Sequence, residues 1–302
     1  MRLLLAVAGM LCAVAPLHAA ERERALAVGG QARNYTLITP DKASGPFPLL
    51  IVYHGGGQTA ERARRYTRFD EWAGREGFAA VYPEGIGKNW NDGRVSDDLN
   101  ARAAAQGDDV EFTLQLIETL AVEGVADPSR VFLVGASNGG MMAMRAACEL
   151  GPRVAGIGVV VANLPVDWGC GAKRMPAIFV HGTDDEFMPY DGGQIAARKS
   201  RKNLGHVRSV DETIETFKRI NGCEGVKEQK MLDEVGRDKT AAVITDYECT
   251  GGALRQIEIQ GGGHTWPGAR TTIIADWILG NTSDEVSATE EIWNFFKGLH
   301  AR

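Results

Sequence analysis

Five short apolar runs constrain this chain more than any other feature of it. They are FPLLIVYHG (47–55), FAAVYPEG (78–85), DPSRVFLVGAS (127–137), VAGIGVVVAN (154–163) and AIFVHGT (177–183). Their central residues show no alternation between polar and apolar, so each reads as a strand buried on both faces. Helical patterns fall between and around them: 60–77, 108–124, 138–150, 212–220 and 290–299. In 108–124, Val110, Leu114 and Ile117 are expected to share the buried face, with acids in the first turn. RALAVGGQARNYTLITP (24–40) reads as two strands around a Gly-Gly turn, and further strand-like runs lie near 243–250 and 253–260. Strands alternating with helices predict an α/β fold, a mostly parallel central sheet with helices on both faces. No linker, repeat or low-complexity tract divides the chain, so 21–302 reads as one catalytic domain.

The first twenty residues, MRLLLAVAGMLCAVAPLHAA, have a positive start, a short apolar run and a small-residue end. They read as a secretory signal peptide, too short for a membrane span, which predicts a secreted or periplasmic protein with no membrane attachment after cleavage. Export changes the meaning of the four remaining cysteines. An even count predicts two disulfides, with Cys148–Cys170 and Cys223–Cys249 favoured as the pairs nearest in sequence. A formal net charge of −6 argues against nucleic acid as a partner. The one basic run, 198–208, reads as a solvated face. Nothing in the sequence fixes the oligomeric state.

In an open α/β sheet the site lies beyond the carboxyl ends of the strands. One strand runs into G-A-S-N-G (135–139) and then a helix. This strand–turn–helix context is that of a nucleophile elbow, which makes Ser137 the candidate nucleophile. Serine needs a base and an orienting acid, expected in the order Ser, acid, His. After the run AIFV come His181-Gly-Thr-Asp184-Asp185. Asp185 is the candidate acid and Asp184 the fallback; the bland alternative for either is an Asx turn. His206, His264 and His300 follow the acid. His206 lies in the basic run and His300 near the end, so His264, within GGGHTWPG (261–268), is the candidate base. The backbone N–H of Asn138 and that of Gly56 or Gly57, in the HGGGQ stretch (54–58), are the expected oxyanion donors. No metal or organic cofactor is required.

Taken together, HGGGQ, YPEGIGKNWNDGR, DDVEF, GASNGGMMA, HGTDDEFMPYDGG and GGGHTWPG resemble the polyhydroxybutyrate depolymerase-like and feruloyl esterase-like α/β-hydrolases of secreted bacterial type. The resemblance spans roughly residues 30–300. It implies an α/β-hydrolase fold, carboxylic-ester hydrolysis, and roles for Ser137, Asp185 and His264. Depolymerases of solid polyester usually carry an added substrate-binding domain, and none is evident here. The expectation therefore leans to soluble substrates: feruloyl or acetyl esters of plant polysaccharide fragments, or short hydroxyalkanoate oligomers. Trp90, Trp168, Trp266 and Tyr190 lie near strand-end loops and are candidates for stacking on a sugar or phenolic ring. Met141, Met142 and Met144 read as core fillers. Two rival readings are a serine peptidase of the same fold and a binding protein that has lost its chemistry. Against the second stands the full set Gly135, Ser137, Gly139, Asp185 and His264.

Overall fold

The computed structural model describes residues 19–41, 44–96, 107–167, 169–171, 174–195, 203–232, 238–270 and 278–300. Trp168, residues 1–18 of the leader and residues 198–202 of the basic run lie outside them. Ten strands form one sheet: β1 (Ala19–Val28), β2 (Gln31–Pro40), β3 (Phe47–Tyr53), β4 (Ala79–Pro83), β5 (Ala126–Ala136), β6 (Gly156–Val160), β7 (Ala177–Gly182), β10 (Cys223–Leu232), β11 (Ala241–Cys249) and β12 (Leu254–Gln260). The two-residue strands β8 (Gly193–Gln194) and β9 (His206–Val207) pair apart from it. The sheet order is β1-β2-β4-β3-β5-β6-β7-β12-β11-β10. Its centre, β4 to β12, is parallel; β1, β2, β10 and β11 extend both sides antiparallel. The all-apolar runs supply the parallel centre, where both faces are covered.

Strand β3 shows why. Leu49, Ile51 and Tyr53 point to one face, where they share a core with Phe112, Leu116, Met141 and Met144. Leu50 and Val52 point to the other, with Ala63, Phe69, Ile292 and Phe296. The helices supplying these residues are α1 (Ala60–Thr67), α2 (Phe69–Glu76), α3 (Asp109–Val122), α4 (Asn138–Leu150) and α6 (Ala288–His300). A further helix, α5 (Val210–Asn221), begins with a reciprocal capping box between Ser209 and Glu212.

Three expectations need correction. The single helix read over 60–77 is two, broken at Arg68 in the left-handed region with φ 52°. The break lets Ala63 and Thr67 of α1, and then Phe69 and Ala73 of α2, each face inward. On α3 the buried face is Phe112, Thr113, Leu116, Ile117 and Leu120, while Val110 and Leu114 are only half-buried. Strand β10 was not anticipated at all, because its CEGVKEQKML sequence is mostly exposed, carries four charges and shows no apolar period. Pairing with β11 and the Cys223–Cys249 bridge hold it in place. The second disulfide joins Cys148 to Cys170, so both favoured pairings are present.

A buried ion pair braces the region beneath the strand ends. Arg33 on β2 donates to Asp109 Oδ1 at 2.5 Å, and both side chains are almost fully buried. The second carboxylate oxygen accepts from the backbone N–H of Asn91 at 2.7 Å, which ties the loop after β4 to the start of α3. Removing one partner of a buried pair strands the other charge in the interior. We expect Asp109→Ala to lower the unfolding free energy by about 3–5 kcal/mol in urea titrations. Glu118→Ala, which breaks an exposed pair with Arg153, should cost less than about 1 kcal/mol.

Candidate active site

The sheet register brings several strand ends level. Tyr53 pairs with Gly135, Ala136 with Val160, and Val160 with Val180. Ser137 stands just past β5 with φ 55° and ψ −125°, a strained conformation for a residue with a Cβ. Its hydroxyl does not cap α4, whose N-terminus it begins. The turn requires glycine on either side. A Cβ at Gly139 would sit 2.4 Å from the Tyr53 carbonyl oxygen, and one at Gly135 would sit 2.3 Å from the Gly139 backbone.

Past β7 the chain reaches Asp185. Its Oδ1 accepts from the N–H groups of Phe187 and Met188, both at 2.8 Å. Its Oδ2 lies 2.7 Å from Nδ1 of His264. Asp184 is engaged instead with the Thr183 hydroxyl at 3.0 Å. His264 sits on the loop after β12, whose backbone is held by Leu279 and Asn281. Gly263 permits that contact, since a Cβ there would lie 2.1 Å from the Leu279 carbonyl oxygen. Trp266 fixes the far side of the loop by donating its indole N–H to Thr289 at 3.0 Å. Ser137 and His264 line one pocket of about 400 Å³, floored by Ala136, Val161, Trp266 and Leu279.

Asn138 is held by a network that sequence reasoning missed. Its side-chain oxygen accepts from the Trp90 N–H at 2.8 Å, and its amide donates to Asp92 at 2.6 Å. Trp90 in turn donates its indole N–H to the His54 carbonyl at 2.8 Å, and His54 Nε2 accepts from the Gly85 N–H. The Asn138 backbone N–H stands in the first turn of α4, where no intrahelical acceptor exists. The Gly57 N–H already donates to the Lys88 carbonyl at 2.8 Å. Gly56 is the better placed of the two glycines, because a Cβ built on it would lie 3.5 Å from Asn138 Cβ.

The aromatic candidates separate. Trp266 lines the Ser137 pocket. Trp90 is 1% exposed and serves the network just described, so its ring is not open to a substrate. Tyr190 donates to Glu258 at 2.5 Å and lines a different groove on β10–β12, which contains neither Ser137 nor His264. The pocket also holds three arginines not singled out from sequence: Arg62, Arg65 and Arg270. The helical pattern of 60–77 foretold a helix but not which of its arginines would overlook the site.

Relatives of the chain are esterases. A sequence model described as Esterase PHB depolymerase matches residues 33–174. Feruloyl esterase B of Piromyces equi is 28% identical over 75% of the chain. On these matches the chain is similar to the polyhydroxybutyrate depolymerase-like and feruloyl esterase-like esterases. NocK of Nocardia uniformis subsp. tsuyamanensis, itself named only provisionally as an esterase, is 28% identical over 91% of the chain and 82% of its own length. The chain spans only 40% of the length of the Piromyces protein. Among solved structures, an acetyl xylan esterase from Aspergillus awamori superposes with a TM-score of 0.56 at 13% identity, covering 81% of this chain and 94% of that one. That likeness shows the α/β-hydrolase fold expected from the motifs. The esterases among its relatives support the same chemistry: the protein is a carboxylic ester hydrolase.

Two buried histidines outside the pocket carry a pH signature. Burial pushes His54 and His181 down to about 4 from 6.5, partly offset by hydrogen bonds to the Gly55 and Ala162 carbonyls. Above pH 6.5 both are neutral whether folded or unfolded. As pH falls from 6.5 to 4 the unfolded chain takes up protons that the folded chain refuses, so stability falls. We expect His181→Gln to flatten that fall by about 2 kcal/mol, measured as unfolding free energy at pH 6.5 and pH 4.5. An unchanged difference would show that His181 is not the source.

Proposed function

We propose that this chain is a secreted serine carboxylesterase acting through Ser137, His264 and Asp185. The observation that carries the reading is the 2.7 Å contact of Asp185 with His264 Nδ1, on a histidine that shares its pocket with Ser137. In the proposed cycle Ser137 Oγ attacks the ester carbonyl and passes its proton to His264 Nε2. The tetrahedral oxyanion is met by the N–H groups of Asn138 and Gly56. It collapses, and His264 returns the proton to the leaving alcohol. Water then repeats the sequence on the acyl-enzyme, releasing the acid and free Ser137. Asp185 orients the imidazole and stabilises the imidazolium throughout.

The substrates proposed are feruloyl or acetyl esters on soluble plant polysaccharide fragments. Support comes from the feruloyl and acetylxylan esterases among the relatives. The alternative substrate is a short hydroxyalkanoate oligomer, favoured by the family model that matches residues 33–174. Two disulfides support a place outside the cytoplasm. The signal peptide at 1–20 and the single catalytic domain over 21–302 belong to the same proposal.

A fluorophosphonate should label Ser137 in the intact protein and leave Ser137→Ala unlabelled. Ser137→Ala should lower kcat by about 10³-fold or more, with Tm preserved. Asp185→Asn should lower kcat by about 10⁴-fold while phosphonate labelling slows but persists. Esterase activity that survives Ser137→Ala would remove the serine from the mechanism.

A further inference from the structure

The walls of the Ser137 pocket are unevenly charged. Arg62 and Arg65 stand three apart on α1 and therefore share a helix face. Arg270, six residues past His264, lines the same pocket. Among the described residues that line this pocket there is no Asp or Glu. The other arginines of α1 and its end are spoken for: Arg64 pairs with Glu21 and Asp70, and Arg68 with Glu71. Arg65 lies no nearer than 3.8 Å to Glu61, with both side chains in solvent. Arg62 and Arg270 form no salt bridge among the described residues; Arg270 is close enough to be felt by Glu71, whose carboxylate Arg68 already holds.

Three guanidiniums around an apolar floor make a site for a negative charge. The chain's net charge is −6, so this local excess runs against the average of the surface. The developing oxyanion does not require it, since backbone N–H groups serve there. We propose that Arg62, Arg65 and Arg270 bind a carboxylate on the substrate, remote from the ester that Ser137 attacks. Guanidinium matches a carboxylate with two parallel hydrogen bonds and keeps its charge at any working pH. The inference rests on the catalytic reading of Ser137 and names a substrate class for that site. Two sources share the chemistry: a uronic acid on a glycan fragment, and the free acid end of a hydroxyalkanoate oligomer.

The test compares kcat/KM on ester pairs differing in one carboxylate, with Ser137→Ala as the blank. The first pair is 4-nitrophenyl hydrogen adipate and 4-nitrophenyl hexanoate. At low salt the charged ester should be preferred by about tenfold or more, through KM, and the preference should shrink as ionic strength rises. In Arg62→Gln/Arg270→Gln the charged-to-neutral ratio should fall towards one, and the matching lysine pair should restore part of it. Because the ratio is taken within one protein sample, a partly unfolded variant does not distort it. Equal use of both esters by the unaltered protein would overturn the proposal. A 3-hydroxybutyrate dimer against its methyl ester, and acetylated xylo-oligosaccharides with and without a glucuronic acid branch, then identify the source. If no ester is cleaved, the serine-esterase reading fails separately. Calorimetry of monomethyl adipate with Ser137→Ala still decides the arginine site: binding lost in the double arginine variant upholds it, and no binding at millimolar ligand overturns it.

Discussion

The N-terminus of α4 lies against the last carbonyls of β3, and the rest of the site is arranged around that contact. Only hydrogen fits between Gly139 and the carbonyl oxygens of Tyr53 and His54. The closeness forces the turn that leaves Ser137 at positive φ, and it places the HGGGQ loop beside Asn138. Strain at one residue is tolerated because β5 is paired on both sides, with β3 and β6, and cannot relax. Asn138 then extends the same logic outward. Its side chain anchors Trp90 and Asp92, and through Trp90 the loop after β4 is tied to the His54 carbonyl. The two candidate oxyanion donors are thereby supported from behind rather than left on free loops.

Most of this frame was legible in the sequence. All-apolar runs announce strands buried on both faces, and glycine pairs around a serine at a strand end announce a tight turn. Asp185 and His264, singled out by order and position, lie 2.7 Å apart. What stayed hidden depended on long-range contact. Trp90 is a stacking candidate by its place near a strand-end loop, yet its indole packs against His54 at a ring separation of 4.8 Å. Tyr190 follows the acid closely in sequence but turns toward Glu258 and away from the pocket. Gly57 could not be told from Gly56 until the Lys88 carbonyl was located. Strand β10 has no periodic signal of its own, since partner strand and disulfide place it rather than burial.

The wall of arginines follows from the break at Arg68. A continuous helix over 60–77 would have had to bury one stripe along its whole length. Two short helices meeting at a left-handed residue let α2 dock through Phe69 and Ala73, while α1 is free to settle with its arginines toward the pocket. Electrostatic character at the site is thus a product of helix termination some distance from the reacting atoms.

Among the described residues the ten-strand sheet is open, and its two outermost strands, β1 and β10, are each paired on one side only. An open edge invites a neighbouring molecule to add a strand. Here the outer strands read AAERERALAV and CEGVKEQKML, with charge of both signs along each. Register shifts in β10 spoil the straight line of acceptors and donors that an incoming strand would need. The covalent bond from Cys223 to Cys249 ties one end of that strand to its partner β11. The same charged and irregular residues that hide β10 from a hydrophobic pattern make its edge a poor template for strand addition.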